Sequence, residues 1–347
     1  MKLLVTGGAG FIGSAFVRGR LRDTTDDIIV LDKLTYAGNL ANLADLESDE
    51  RYASRLRFVR GDIADAPVAG PLVDECDAIL NFAAESHVDR SILDPAAFLR
   101  TGVDGVHVLL EAVRAAQERR GRAIRFLQVS TDEVYGSVDE GLSLEGDPLA
   151  PRSPYAAAKA AGELLVNAYA ATYGLDTVIT RGANTYGPHQ HPEKLIPLFI
   201  SNALEEQPLP LYGDGLQRRD WLFVDDHAAA VGYVLDHGLA GTAYNVPGDE
   251  ERTNREVTAA ILERLDRPWS LVRSVEDRPG HDRRYAMDGS RLHALGWQPS
   301  VPFREGIART VGWYADNRDW WRGLQGAEWQ DYYERQYGQR LAESVEA

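Results

Sequence analysis

The chain has 347 residues, enough for one large domain or two fused ones. Its formal net charge of −16 argues against a nucleic-acid-binding surface, which needs a basic face. The single cysteine, Cys76, excludes an internal disulfide and a zinc site built on cysteines, and we expect no bound metal. No apolar run reaches the ~18–20 residues that span a bilayer. The first residues also lack a signal-peptide pattern, so we expect a cytoplasmic protein with no membrane or nucleic-acid partner.

In the first half of the chain, short apolar runs alternate with helical stretches. The runs that we predict as strands are residues 2–6, 28–31, 56–59, 77–82, 124–130 and 177–181, and the main predicted helices are 101–120 and 155–173. This alternation predicts an α/β fold, in which a doubly wound parallel sheet is covered by helices on both faces.

Beyond Arg181, prolines and a glycine cluster at 213–215 break this pattern. We therefore predict a first domain over residues 1–181 and a smaller mixed domain over 182–347. The strand-like runs 221–224 and 244–246 are expected to return to the first sheet. The aromatic residues near the C-terminus are interpreted as the packing face of a helix.

A glycine loop follows the first predicted strand, with glycines at 7, 10 and 13. Such a loop permits a tight turn and brings the start of a helix close to a pyrophosphate. Asp32 ends the second strand, where its carboxylate would bind the ribose of an adenosine and repel a 2′-phosphate, which favours NAD over NADP. The basic side chain of Lys33, beside Asp32, could instead tolerate a 2′-phosphate.

Two further strand ends carry candidate cofactor contacts. Asp62 could reach the adenine amino group with Ile63 beneath the ring, although an aspartate in an ordinary turn fits the sequence almost as well. Ala83 and Ala84 follow the fourth strand, where small side chains would let a cofactor pass close to the backbone.

Tyr155 and Lys159 lie one helical turn apart and therefore on one helix face. We expect the Lys159 ammonium to lower the pKa of the Tyr155 phenol, so that the phenolate can remove a proton from a substrate hydroxyl. Thr131, at the end of the fifth strand, is predicted to hydrogen-bond the same hydroxyl.

Asp132 and Glu133 follow that strand end directly, where ligands bind in open parallel sheets. A solvated acidic turn or a helix cap is the alternative interpretation. Two close carboxylates push their pKa values apart, so that one can hold a proton while the other stays ionised. An elimination needs that pair, with one base for a C–H bond and one acid for the leaving hydroxyl.

With these motifs the chain resembles the extended short-chain dehydrogenase/reductases and, among them, the dTDP-glucose 4,6-dehydratases. The resemblance implies a Rossmann sheet and covers nearly the whole chain. The stretches that carry it are TGGAGFIGS (6–14), DKLTYAGNL (32–40), FAAESHVDRSI (82–92), STDEVYG (130–136), YAAAK (155–159), HPEKLIPLF (191–199), LPLYGDG (209–215), RDWLFVDDH (219–227) and DRPGHDRRYAMD (277–288).

The resemblance also implies a mechanism. Tyr155 takes the proton of the sugar 4-hydroxyl while hydride passes from C4 to NAD⁺. Glu133 then removes the C5 proton, Asp132 protonates the departing 6-hydroxyl, and hydride returns to C6. The product is a 4-keto-6-deoxy sugar nucleotide, and NAD⁺ is expected to stay bound. A homodimer built through the helices at 101–120 and 155–173 is also implied.

Further binding residues are carried over position by position from the resemblance. It adds Phe11, Ile12, Thr35, Phe82, Thr101, Tyr155, Lys159 and Thr185 to the cofactor contacts. It places at the substrate Ser86, Thr131, Asn184, Lys194, Leu195, Pro210, Tyr212, Arg219, Asn254, Arg278 and His281.

The chain departs from the family pattern at two positions. Thr185 stands where the family has an asparagine near the nicotinamide, and Gly102 stands where it has an asparagine at the start of a helix. We expect altered local order at Gly102, because glycine weakens a helix start. Three alternatives remain open: a UDP-linked dehydratase, an NAD-dependent 4-epimerase that would have no task for Asp132 and Glu133, and a non-enzymatic NAD-binding regulator.

Overall fold

A computed structural model describes residues 1–278 and 280–346. Pro279, in the DRPGHD stretch of the sequence, and Ala347 lie outside the described residues. The strands are β1 Lys2–Thr6, β2 Asp27–Asp32, β3 Leu56–Arg60, β4 Ala78–Asn81, β5 Arg125–Thr131, β6 Thr177–Gly182, β7 Asn184–Tyr186, β8 Leu209–Tyr212, β9 Arg218–Phe223, β10 Thr242–Val246, β11 Glu251–Thr253, β12 Val272–Val275 and β13 Val345–Glu346.

Helices cover both faces of the sheet and continue through the second half of the chain. They are α1 Phe11–Asp23, α2 Ala44–Ser48, α3 Glu50–Ala53, α4 Ala66–Glu75, α5 Val88–Leu93, α6 Pro95–Leu99, α7 Val106–Arg120, α8 Pro154–Tyr173, α9 Leu195–Leu204, α10 Val224–His237, α11 Asn254–Leu265, α12 Ser290–Leu295, α13 Phe303–Asp316, α14 Arg318–Leu324, α15 Ala327–Tyr333 and α16 Gln339–Ala342. None of the described helices combines the length and apolarity needed to cross a membrane.

The central sheet has seven strands in the order β10-β6-β5-β4-β1-β2-β3, and each pairing in it is parallel. Its inner strands are buried on both faces, which explains their continuous apolar runs. One hydrophobic cluster lies on the side of α1 and α10, and another lies on the side of α4 and α7. The predicted α/β fold with a doubly wound parallel sheet is confirmed.

The strands after Arg181 divide between sheets. β10, which contains residues 244–246, pairs with β6 and extends the central sheet. The expectation that residues 221–224 also join it is wrong, because β9 pairs with β7 and β11 in a separate three-stranded sheet. An apolar run signals burial but does not tell which sheet it joins.

The helix predicted over 101–120 begins irregularly. Residues Arg100–Gly105 form a π-helical turn, and regular α-helix starts only at Val106. This turn packs tightly on α8, since a Cβ at Gly102 would lie 3.1 Å from the Ala158 Cβ. The structure thus has a π-turn around Gly102 and no regular α-helical start there; that this order differs from the family's stays a prediction.

A buried ion pair fixes α8 against the central sheet. Glu163 of α8 is fully buried, and both of its carboxylate oxygens accept from the Arg181 guanidinium of β6 at 2.6–3.2 Å. Arg181 also donates to the Tyr135 hydroxyl at 2.6 Å. Tyr135 belongs to the 3₁₀ turn Asp132–Tyr135 that follows β5. One guanidinium therefore joins this turn, α8 and β6.

Candidate active site

The glycine loop after β1 lines a first cleft at the carboxyl ends of the central strands. Gly7 has a left-handed backbone with φ of 67°, and a Cβ there would lie 2.6 Å from the Ala83 nitrogen. A Cβ at Gly13 would lie 2.3 Å from the Gly7 carbonyl oxygen. Only glycine fits at these two positions, and the loop leads directly into the start of α1.

Asp32 lies in the same cleft with both carboxylate oxygens anchored by the backbone. Oδ2 accepts from the Ala9 nitrogen at 3.0 Å, and Oδ1 accepts from the Leu34 nitrogen at 2.8 Å. Lys33 turns away from it and pairs with Asp62 at 2.9 Å. The charge of Lys33 is therefore already matched by a carboxylate. Asp32 is then the residue that determines whether this end of the cleft favours a ribose diol or a 2′-phosphate.

Almost every residue predicted to contact the cofactor lines this cleft. Thr185 is the exception, because its hydroxyl lies 2.7 Å from His227 Nδ1 and 3.0 Å from the Ala183 carbonyl oxygen. The lining residues that the sequence singled out are Gly7, Gly10, Phe11, Ile12, Gly13, Asp32, Lys33, Thr35, Asp62, Ile63, Phe82, Ala83, Ala84, Thr101, Tyr155 and Lys159.

The acidic pair at the end of β5 is not a solvated turn. Asp132 is 3% exposed, and its Oδ1 accepts from the Thr131 hydroxyl at 3.1 Å. Among the described residues, its Oδ2 has no hydrogen-bond partner. Burial, followed by the nearby charge of Glu133, raises the pKa of Asp132 to about 8. At neutral pH this carboxyl therefore holds a proton that it can donate.

Glu133 faces a second cleft, which lies against the second half of the chain. Burial raises its pKa, while the positive charges of Arg278, Arg219 and Lys194 act to lower it. Both carboxyls of the pair are thus shifted upwards, instead of one staying near its ordinary value. Burial is the largest cause for both carboxyls, but the three surrounding cations oppose it at Glu133, whereas the charge of Glu133 adds to it at Asp132.

Tyr155 and Lys159 lie together on α8 and line the first cleft. Lys159 is buried and donates to the Val129 carbonyl oxygen at 2.6 Å, and burial lowers its pKa to about 8. The expectation that Lys159 lowers the pKa of Tyr155 is wrong for this arrangement. Burial, Glu133 and Asp132 raise the pKa of Tyr155, and only a hydrogen bond with Thr131 opposes them.

The second cleft brings together most of the predicted substrate residues. Ser86 lies on the first cleft instead, and Thr131 lies below both surfaces, where it caps the Asp132–Tyr135 turn. Lys194 lines both clefts and donates to the Ser86 carbonyl oxygen, so the two clefts meet at this side chain. The other predicted residues on the second cleft are Asn184, Leu195, Pro210, Tyr212, Arg219, Asn254, Arg278 and His281.

The cationic wall of this cleft is only partly compensated, since Arg278 pairs with Asp89. Arg219 is 5% exposed and, among the residues that the structure describes, donates only to the backbone carbonyls of Arg218, Asp282 and Arg283. Within the described ranges, Arg278 Nε and Asn184 Oδ1 are buried without hydrogen-bond partners. Buried polar groups without partners are costly, so these atoms mark a site for an anionic, hydrogen-bonding ligand.

Sequence reasoning missed several residues of the two clefts. Asp89 and Glu193 are buried acids that pair with Arg278 and Arg90. They lie inside quoted motifs, but nothing in their spacing separates them from surface charges. Tyr337 comes from the C-terminal segment, far from any quoted motif.

Comparison with known proteins identifies the family. The family model for GDP-mannose 4,6 dehydratase matches residues 4–310. A dTDP-glucose 4,6-dehydratase from Streptomyces niveus is 51% identical over 334 residues, which cover 94% of this chain and 97% of that protein. The chain belongs to the dTDP-glucose 4,6-dehydratase family. Another family member, from Shigella flexneri, is 46% identical, with 97% of this chain and 99% of that protein covered.

Solved structures of dTDP-glucose 4,6-dehydratases share the fold. The enzyme from Streptomyces venezuelae, solved with NAD bound, is 52% identical and superposes with a TM-score of 0.89 over 93% of this chain and 100% of that chain. A UDP-glucose 4-epimerase from Thermus thermophilus, also with NAD, is 34% identical, with a TM-score of 0.82 over 91% and 100%. Dehydratases and epimerases share this fold, so the fold does not separate the two activities. The side chains of the site have to do so.

The raised pKa of Asp132 makes a prediction about stability. The unfolded carboxyl titrates near its ordinary value of 3.8 and the folded one near 8. Between these values the folded state binds the extra proton, so the contribution of this group to stability falls as pH rises. Asp132→Asn, which mimics the protonated form, should raise the urea midpoint relative to the unmodified chain, and more at pH 8 than at pH 5. An equal difference at both pH values would contradict the buried, protonated state.

Proposed function

We propose that this chain dehydrates dTDP-glucose to dTDP-4-keto-6-deoxyglucose, with NAD as a cofactor that stays bound. The observation that carries the proposal is the buried carboxyl of Asp132 beside Glu133, next to the Tyr155/Lys159 pair. A 4-epimerase needs a base for the hydroxyl but has no use for two further acid/base groups. An elimination requires both.

The first cleft fits NAD. The Gly7 and Gly13 positions have no room for a side chain, which lets a pyrophosphate approach the backbone and the start of α1. Asp32 is anchored to accept hydrogen bonds from a ribose diol, and the Ser130 hydroxyl is buried there with no partner among the described residues. When bound, NAD accepts hydride from C4 of the sugar and returns it to C6.

The side chains around the sugar divide the proton transfers. Tyr155 takes the proton of the 4-hydroxyl as the phenolate; because burial raises its pKa, the phenol has to give up its proton when substrate and NAD⁺ bind. The ketone formed at C4 then acidifies the C5–H bond. Glu133 removes the C5 proton, Asp132 gives its proton to the departing 6-hydroxyl, which leaves as water, and Glu133 returns its proton to C5. Tyr155 then holds one proton too many and Asp132 one too few. The Thr131 hydroxyl bonds to both side chains and offers a path between them.

The second cleft fits the dTDP portion of the substrate. Arg219 and Arg278 supply buried guanidinium groups for the diphosphate, which suits the bidentate geometry of arginine with phosphate oxygens. Pro210 and Tyr212 offer an apolar and aromatic surface for the base. We assign the cofactor to the domain of residues 1–181 and the nucleotide to residues 182–347, with His87, Asp89 and Glu133 of the first domain completing the second cleft.

Glu133→Gln tests the proposed chemistry. The amide cannot accept the C5 proton, so formation of the alkali-absorbing 4-keto-6-deoxy product from dTDP-glucose should fall by about 10²–10⁴-fold. Bound NAD should be retained and should still be reduced on mixing with substrate, because oxidation at C4 does not use Glu133. Glu140→Gln, at an exposed position nearby, is the matched control and should keep full activity.

Turnover by Glu133→Gln within ten-fold of the unmodified chain would remove Glu133 from its assigned role. The unmodified chain should also turn over dTDP-glucose faster than UDP-glucose, and a preference for UDP-glucose would contradict the assigned substrate.

We also propose a homodimer in which α7 and α8 of each copy pack as a four-helix interface. Exposed apolar side chains support this face: Leu164 and Tyr173 of α8 are 60% and 50% exposed, and Leu99 just before the π-turn is 51% exposed. Leu164→Glu should shift the mass measured by light scattering from dimer to monomer. Leu239→Glu, at a similarly exposed leucine after α10 (66%), should leave the dimer intact. A monomeric unmodified chain would contradict the proposal.

A further inference from the structure

The C-terminal segment reaches the second cleft through a π-helical turn. This turn, Glu334–Gly338, lies between α15 and α16 and contains Gln336 and Tyr337, which are 8% and 5% exposed. Tyr337 lines the cleft together with Pro210 and Tyr212. π-turns occur frequently at functional sites because they redirect side chains within a helix.

The turn holds the hydroxyl of Tyr212. That hydroxyl accepts from Gln336 Nε2 at 2.6 Å and donates to Asp89 Oδ2 at 3.1 Å, and it is also hydrogen-bonded to the Tyr337 side chain. The rings of Tyr212 and Tyr337 lie with their centroids 5.9 Å apart at 34°. Two consecutive residues of the C-terminal turn therefore fix both the tilt and the hydroxyl of Tyr212.

The same turn is connected to the cationic wall. Gln336 Nε2 also donates to Asp89 Oδ2 at 3.0 Å, while Asp89 Oδ1 accepts from Arg278 at 2.6 Å. Asp89 is 4% exposed, so its charge needs these partners. Moving Gln336 would therefore disturb both Tyr212 and the carboxylate that orients Arg278.

We propose that the turn Glu334–Gly338 determines binding at the nucleoside diphosphate end of the substrate site. Tyr337 forms one wall of the space for the pyrimidine base, where aromatic surface is the complementary chemistry. Gln336 is a positioning residue, which acts through Tyr212 on the base and through Asp89 and Arg278 on the diphosphate. This inference rests on the proposed function for the identity of the nucleotide.

The test compares three variants of the full chain: Gln336→Ala, Tyr337→Phe and, as the matched control, Gln339→Ala. Gln339 lies three residues beyond Gln336, is exposed and donates only to Glu343 among the described residues. The measurements are KM and kcat with dTDP-glucose, the dissociation constant of dTDP by calorimetry, and the amount of bound NAD. Tyr337→Phe keeps the ring and its packing, so it remains informative if Gln336→Ala fails to fold.

In Gln336→Ala, KM for dTDP-glucose and the dissociation constant of dTDP should both rise by about ten-fold, which is typical when hydrogen bonds to a charged network are lost. The value of kcat should fall by less than KM rises, because Gln336 reaches the base Glu133 indirectly, through Asp89 and Arg278. Tyr337→Phe should raise the dissociation constant of dTDP by roughly three-fold, and Gln339→Ala should match the unmodified chain.

Unchanged KM and dTDP binding in folded Gln336→Ala and Tyr337→Phe would overturn the proposal. So would a loss confined to kcat or to bound NAD, since that would indicate a general structural effect. If the unmodified chain binds dTDP but does not turn over dTDP-glucose, the proposed function fails, and weakened dTDP binding in the two variants would still support the role of the turn.

Discussion

The geometry of the site depends on the guanidinium of Arg181. It is 4% exposed and lies between three elements: its own strand β6, helix α8 through Glu163, and the turn after β5 through the Tyr135 hydroxyl. A buried ion pair is tolerated only when both charges stay matched, and losing one partner typically costs about 3–5 kcal/mol. Any sliding of α8 along the sheet would break this match. The helix that carries Tyr155 and Lys159 is therefore locked to the turn that carries Asp132 and Glu133.

The surroundings of Asp132 and Glu133 then give these two similar carboxyl groups different roles in proton transfer. Asp132 and Glu133 are adjacent carboxyls, but Asp132 has lost its solvent and holds its proton up to about pH 8. Glu133 looks into a cleft with Arg219, Arg278 and Lys194, whose charges favour its ionised form. One backbone turn thus presents an acid and a base on adjacent residues. Lys194 lines both clefts and therefore lies where they meet.

The sequence was most informative where local pattern determines structure. The glycine spacing and the acidic end of β2 predicted the lining of the first cleft, because a strand, a turn and a helix start are all local features. The arginine–glutamate lock between Arg181 and Glu163 was not foreseen, since pairing across 18 residues depends on how helix and sheet pack. The Lys159 expectation failed for a related reason: spacing gives the helix face but not the acceptor, here the Val129 carbonyl. Gln336 and Tyr337 were missed because their partners lie more than 120 residues away.

The central claim is that oxidation, elimination and reduction take place on one sugar within one site. The most direct measurement uses dTDP-glucose carrying deuterium at C4, mixed with an excess of unlabelled dTDP-glucose, with the products analysed by mass spectrometry and NMR. Each labelled molecule should keep its deuterium and carry it in the C6 methyl group. Deuterium lost to solvent, transferred to unlabelled molecules or retained at C4 would contradict the account.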